Sequence, residues 1–126
     1  MFFKRKEKEI VIEDVLSTAD KETFIKNAEA LIKELPSKSG DDRIECLNQI
    51  GIQYCDGEEY DLAISYLETS LNEKKETGQG YRVLLKVYNI KRKNAAMQKD
   101  DKQLQYYLEK IDEMMSISKE VLRSNL

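Results

Sequence analysis

The sequence predicts an all-α protein, on three observations. Breakers are scarce: 126 residues contain one proline and five glycines, while Glu, Lys, Leu and Ile abound. Charged residues make up 36% of the chain and hydrophobic ones 40%, a balance suited to solvent-covered helices around a modest core. Apolar residues recur at helical offsets throughout, and no strand-like alternation competes with them. The length suits one domain rather than a two-domain enzyme.

Residues 1–9 read as a mobile N-terminal tail, with Phe2 and Phe3 ahead of a basic cluster as a possible surface or partner contact. The folded domain then runs from 10 to 126. Ile10-Val11-Ile12 is a short apolar run able to fold back on the core. Asp20 is placed to cap the first helix. Its apolar face is Phe24, Ile25, Ala28, Leu31, Ile32 and Leu35, and Pro36 ends it. After the Ser37–Gly40 loop, Asp41 or Asp42 caps a second helix with the face Ile44, Leu47, Ile50, Gly51 and Tyr54. A glycine inside a helix costs about 1 kcal/mol relative to alanine, a cost more readily carried where another helix must approach closely. Gly57 marks the next turn. A third helix presents Tyr60, Ala63, Ile64, Leu67 and Leu71, and Thr77-Gly78-Gln79-Gly80 breaks the chain again. The fourth helix presents Tyr81, Leu84, Leu85 and Tyr88, and should end near Met97. Lys99-Asp100-Asp101 reads as a turn plus cap. The last helix carries a near-heptad seam at 104, 108, 111, 115, 118 and 122, with Ser118 its one polar member. That seam is covered either by another helix of the same chain or by a second chain, which would make a homodimer.

The second and third helices carry a specific pattern. Leu47, Ile50, Gly51 and Tyr54, then Tyr60, Ala63 and Leu67, occupy the signature slots of the tetratricopeptide repeat in order. Residues 44–75 therefore resemble one such repeat. Ser70 departs from the family's alanine, and the turn glycine sits one residue early. A shift of 41 residues lays Tyr107-Leu108-Glu109 on Tyr66-Leu67-Glu68 and Asn89 on Asn48, which implies a second, degenerate unit. There Arg92 stands at the packing glycine and Ala95 at the aromatic. Phe24, Ala28, Leu31 and Pro36 resemble the second helix of a third, incomplete unit. Repeats of this length loosely resemble those of peptide-responsive regulators in Gram-positive bacteria. The resemblance implies a short right-handed superhelical array of antiparallel hairpins, about five helices in all. Such hairpins bury their faces only by stacking on one another.

The family resemblance also implies a groove lined by the first helix of each repeat. On this chain the groove residues are Glu45, Asn48, Gln49 and Ile52, with Cys55 at the edge, and then Lys86, Asn89, Ile90 and Lys93. Lys86, Asn89 and Lys93 share one helical face, and Asn48 joins them if the two helices stack in register. The ordinary meaning of Lys and Asn on a helix is a solvated face, and that reading stands beside the functional one.

Other chemistry has little support. Histidine is absent, no glycine loop cradles phosphate, and no nucleophile has a visible base. Asp41-Asp42 and Asp100-Asp101 read as caps and first-turn charges. Cys46 and Cys55 lie about 13 Å apart along one helix, too far to pair, and read as free thiols. No cofactor or metal is expected. The net charge of −3 weighs against nucleic acid, although Lys91-Arg92-Lys93 is a small basic cluster. No apolar run follows the basic start, and none approaches the roughly 20 residues of a membrane span. The expectation is a cytoplasmic, non-enzymatic module that binds a segment of a partner protein, as adaptor, chaperone or regulator. The alternatives are self-association through the last helix and weak nucleic-acid binding through Lys91, Arg92 and Lys93.

Overall fold

Five α-helices follow one another in the computed structural model, which describes the backbone of residues 2–125 and the side chains of residues 18–125. They are α1 (Phe2–Glu34), α2 (Gly40–Asp56), α3 (Tyr60–Glu73), α4 (Gln79–Met97) and α5 (Asp101–Ser124), with a 3₁₀ turn at Leu35–Ser37. Among the described residues there is no strand.

The start of the chain differs from expectation. α1 begins at Phe2, so the backbone is helical through the segment read as a tail, and Asp20 lies inside the helix instead of capping it. The reason is local: no proline or glycine occurs before Pro36 to stop the helix, and Lys and Glu predominate at its start. The readings of Phe2, Phe3 and Ile10–Ile12 concern side chains outside the described ones. Pro36 does end α1, by turning it into the 3₁₀ segment. At α2 the cap position belongs to Ser39, and Asp41 and Asp42 fall in the first turn, where their charge suits the helix dipole.

The two helical hairpins α2–α3 and α4–α5 have matching joints. α2 ends at Asp56 and α4 at Met97, a shift of 41 residues. At the same shift, Glu58 and Lys99 adopt left-handed backbone, with φ of 60° and 57°. In each joint an amide three residues past the helix reaches back into its last turn: Glu59 N–H to Tyr54 O at 2.8 Å, and Asp100 N–H to Ala95 O at 2.9 Å. These bonds satisfy carbonyls that the helix end would leave unpaired. Asp100 then caps α5, its carboxylate accepting from the Gln103 amide at 3.1 Å.

Packing runs between neighbours along the chain, and α2 also touches α4. Ion pairs record the antiparallel sense of the hairpins. Arg43 at the start of α2 holds Glu73 at the end of α3 through two bonds of 2.9 Å. Lys91 reaches Asp61 at 2.8 Å, and the Tyr81 hydroxyl donates to Met114 O at 2.6 Å. The core is Ala28 of α1, Ile50 and Tyr54 of α2, Ala63 and Leu67 of α3, Leu84, Val87 and Tyr88 of α4, and Tyr107 and Met114 of α5. Gly51 lets α3 approach: a Cβ there would stand 2.6 Å from Leu67 Cδ2, so the leucine fills the notch the glycine leaves.

Candidate functional site

The exposed side of α2 carries two depressions that share a ridge. Glu45 and Gln49 form the ridge, one turn apart and joined by a 3.0 Å hydrogen bond from the Gln49 amide. On one side lies a cavity of about 320 Å³ against the end of α1, lined by Leu31, Glu34, Lys38 and Cys46 among others. On the other lies a cavity of about 210 Å³ between α2, the end of α3 and the start of α4. Asn48, Ser70, Lys74, Gln79, Gly80 and Tyr81 contribute to it.

The second cavity has an unusual lining. Asn48 lies over Gly80, where a Cβ would come within 2.6 Å of its Cγ. Among the described residues no group hydrogen-bonds the Asn48 side-chain amide, which lies half-buried at the mouth. The α4 N-terminus opens here as well. Its cap residue is Gly78, no side chain caps it, and no acidic residue stands in its first turn. The first amides of a helix are unpaired donors at the positive end of its dipole. A carbonyl or carboxylate is therefore the complementary guest.

Only part of the expected groove assembles. Glu45, Asn48 and Gln49 meet as expected. Ile52 is buried and is unavailable as a contact residue. Asn48 sits beside Gly80, about two and a half turns before Asn89, because the middle of α2 meets the first turn of α4. Lys86, Asn89 and Lys93 do not border the cavity, nor does Ile90. Asn89 is occupied within its own helix, donating to Leu85 O at 3.1 Å and accepting from Arg92 Nε at 3.3 Å. Lys86 and Lys93 are exposed, and Ile90 is half-buried. Gln79, Gly80 and Tyr81 were missed as lining residues. Their signal was Gly80, a second helix glycine that the sequence alone presents as part of a break.

The basic cluster is largely spent inside the fold. Lys91 pairs with Asp61, which holds its ammonium pKa above the ordinary lysine value, and lies 5.9 Å from the Tyr107 ring centre. Arg92 bonds Asn89, which leaves Lys93. Cys46 and Cys55 are free and buried, and burial raises both thiol pKa values. The Cys46 thiol donates to Leu31 O at 3.6 Å. Among the described residues no three acidic or sulfur side chains come together as metal ligands, and no helix is long and apolar enough to cross a membrane. Compared with protein-family models, with curated proteins and with solved structures, the chain matches none.

Proposed function

We propose that this is a non-enzymatic interaction module of tetratricopeptide-like build that holds a peptide segment of a partner protein. It would serve as an adaptor, chaperone or regulator. The binding groove in this reading is the one bounded by Glu45, Asn48 and Gln49 of α2 and by the first turn of α4, with Lys74 at its rim.

One observation carries the reading. The Asn48 side-chain amide, without a partner among the described residues, lies over Gly80 at the mouth of a cavity into which an uncapped helix N-terminus opens. An amide offers both donor and acceptor, as a peptide backbone requires. The helix amides and Lys74 add preference for a carbonyl or terminal carboxylate. Lys74 is already shared with Asp41 at 2.9 Å, so its contribution is charge more than a dedicated bond.

The test is a fluorescence-anisotropy screen of short extended peptides, each with a free and an amidated C-terminus. Binders should prefer the free carboxylate. Asn48→Ala should weaken the best binder about fivefold to tenfold, the worth of one hydrogen bond. Gly80→Ala pushes the Asn48 side chain aside and should abolish binding. It should leave the melting temperature unchanged or higher, because a flexible side chain yields and alanine favours the helix. Peptide binding that neither variant alters would remove this groove as the site.

A further inference from the structure

The backbone of α5 packs along α4, and α3 is reached only by side chains. Tyr107 and Met114 are buried in that contact, with Ile111 partly so. One side of this row faces α3, where Lys110 stands 3.9 Å from Glu68. The other side carries Leu108, Met115 and Leu122, which are 41%, 55% and 64% exposed. With the half-buried Leu104, Ile111 and Ser118 they form a continuous seam pointing away from α3. That face is apolar over about 27 Å, and no helix among the described residues packs on it.

We propose that the seam is a homodimer interface, in which α5 pairs antiparallel with α5 of a second copy about a twofold axis level with Glu113. The intervals along the seam are 4, 3, 4, 3, 4 and read the same in both directions. An antiparallel copy therefore sets Leu104 against the partner's Leu122, Ile111 against the partner's Met115, and Leu108 against the partner's Ser118. Charge selects the same arrangement. The seam's open flank carries Asp101, Gln105 and Asp112 in its first half and Lys119 and Arg123 in its second. Among the described residues none of these four charged side chains has an ion pair, whereas Lys110 and Glu120 of the same helix do. Antiparallel pairing puts Asp101 opposite the partner's Arg123 and Gln105 opposite the partner's Lys119. A twofold contact also consumes the face completely, so association stops at two.

One element opposes pairing. Asp112 lies at the axis and meets its own copy. A single helix face of roughly 400 Å² is also smaller than the ~800 Å² per partner of a standard interface. The expected dissociation constant is therefore micromolar.

Sedimentation equilibrium up to about 500 µM chain, on wild type, Met115→Glu and Asp112→Asn, tests the proposal. Met115 is exposed, so circular dichroism should show the glutamate variant folded with an unchanged melt. Wild type should dimerise in the micromolar range, Met115→Glu should weaken the dimer about 100-fold, and Asp112→Asn should tighten it about twofold to fivefold. A wild type monomeric at the highest concentration overturns the proposal, as does a dimer that Met115→Glu leaves intact. An Asp112→Asn dimer no tighter than wild type overturns the twofold axis. The inference does not depend on the peptide groove, which lies on α2 and the start of α4 and is read by a different assay.

Discussion

Lys99 holds a left-handed backbone that a side chain disfavours, at φ 57°. It is exposed and has no ion pair among the described residues, so the conformation is sustained by the joint's backbone bonds. Lys99→Gly should therefore raise stability by about 0.5 to 1 kcal/mol, after subtracting the freedom glycine adds to the unfolded chain. A urea midpoint shifted upward with an unchanged slope would show it. Glu58→Gly should gain less, because Glu58 also pairs with Lys21 at 3.1 Å. Tyr88 is the other residue with a clear consequence. Burial first, and then the hydrogen bond it donates to Glu68, hold its hydroxyl far above the ordinary phenol range. An unfolded chain releases that proton near pH 10 while the folded one keeps it. Tyr88 thus adds no pH dependence below pH 10 and makes stability fall as pH rises beyond it. Tyr88→Phe should cost about 1 kcal/mol at neutral pH and flatten the decline above pH 10, read by denaturant melts at pH 7 and pH 11.

The hairpin α2–α3 shows what the sequence could and could not announce at the level of elements. Pro36, Gly57 and Lys99-Asp100-Asp101 mark helix ends because each carries local turn chemistry, and the structure has its boundaries there. The reading of Gly51 as a point of close approach also holds, and Ala63 of α3 is wholly buried. Gly51→Ala should destabilise by about 1 kcal/mol or more, despite alanine's similar gain in helix propensity, because Leu67 is embedded in the core and cannot withdraw. Calorimetry of Gly51→Ala beside Gly80→Ala would separate the two helix glycines: the first should melt lower, the second should not. The start of α1 was illegible, since nothing in the sequence marks a helix beginning at Phe2. The partner of Asn48 was illegible too. A shared repeat slot says which residues are equivalent, not which are adjacent, and equivalence suggested Asn89 where contact gives Gly80.

Across the whole molecule, packing is between neighbours, with α2–α4 the one link that skips a helix. Such a stack has no single centre, so protection should be graded along the chain. Hydrogen exchange read by mass spectrometry should find α2, α3 and the first half of α4 slowest, since the most deeply buried side chains concentrate there. The last turns of α5, whose side chains are largely exposed, should exchange fastest among the described residues. Uniform protection over α2 to α5 would instead indicate all-or-none opening. The seam of α5 was legible as a pattern, but which half of it faces inward depends on where α4 lies, and periodicity alone does not supply that. Tyr107 turned inward and Leu108 outward, one residue apart.

The two glycine contacts have a mechanical consequence. At Gly51 a buried leucine from α3 keys into the notch, so α2 and α3 can neither slide nor rotate past each other and must move as one rigid piece. At Gly80 the occupant is a half-buried amide on a flexible stem, which yields without breaking a core contact. The stiff joint and the compliant one alternate along the stack. The compliant one borders the cavity at the start of α4, so a guest of the proposed groove would press on the joint that yields.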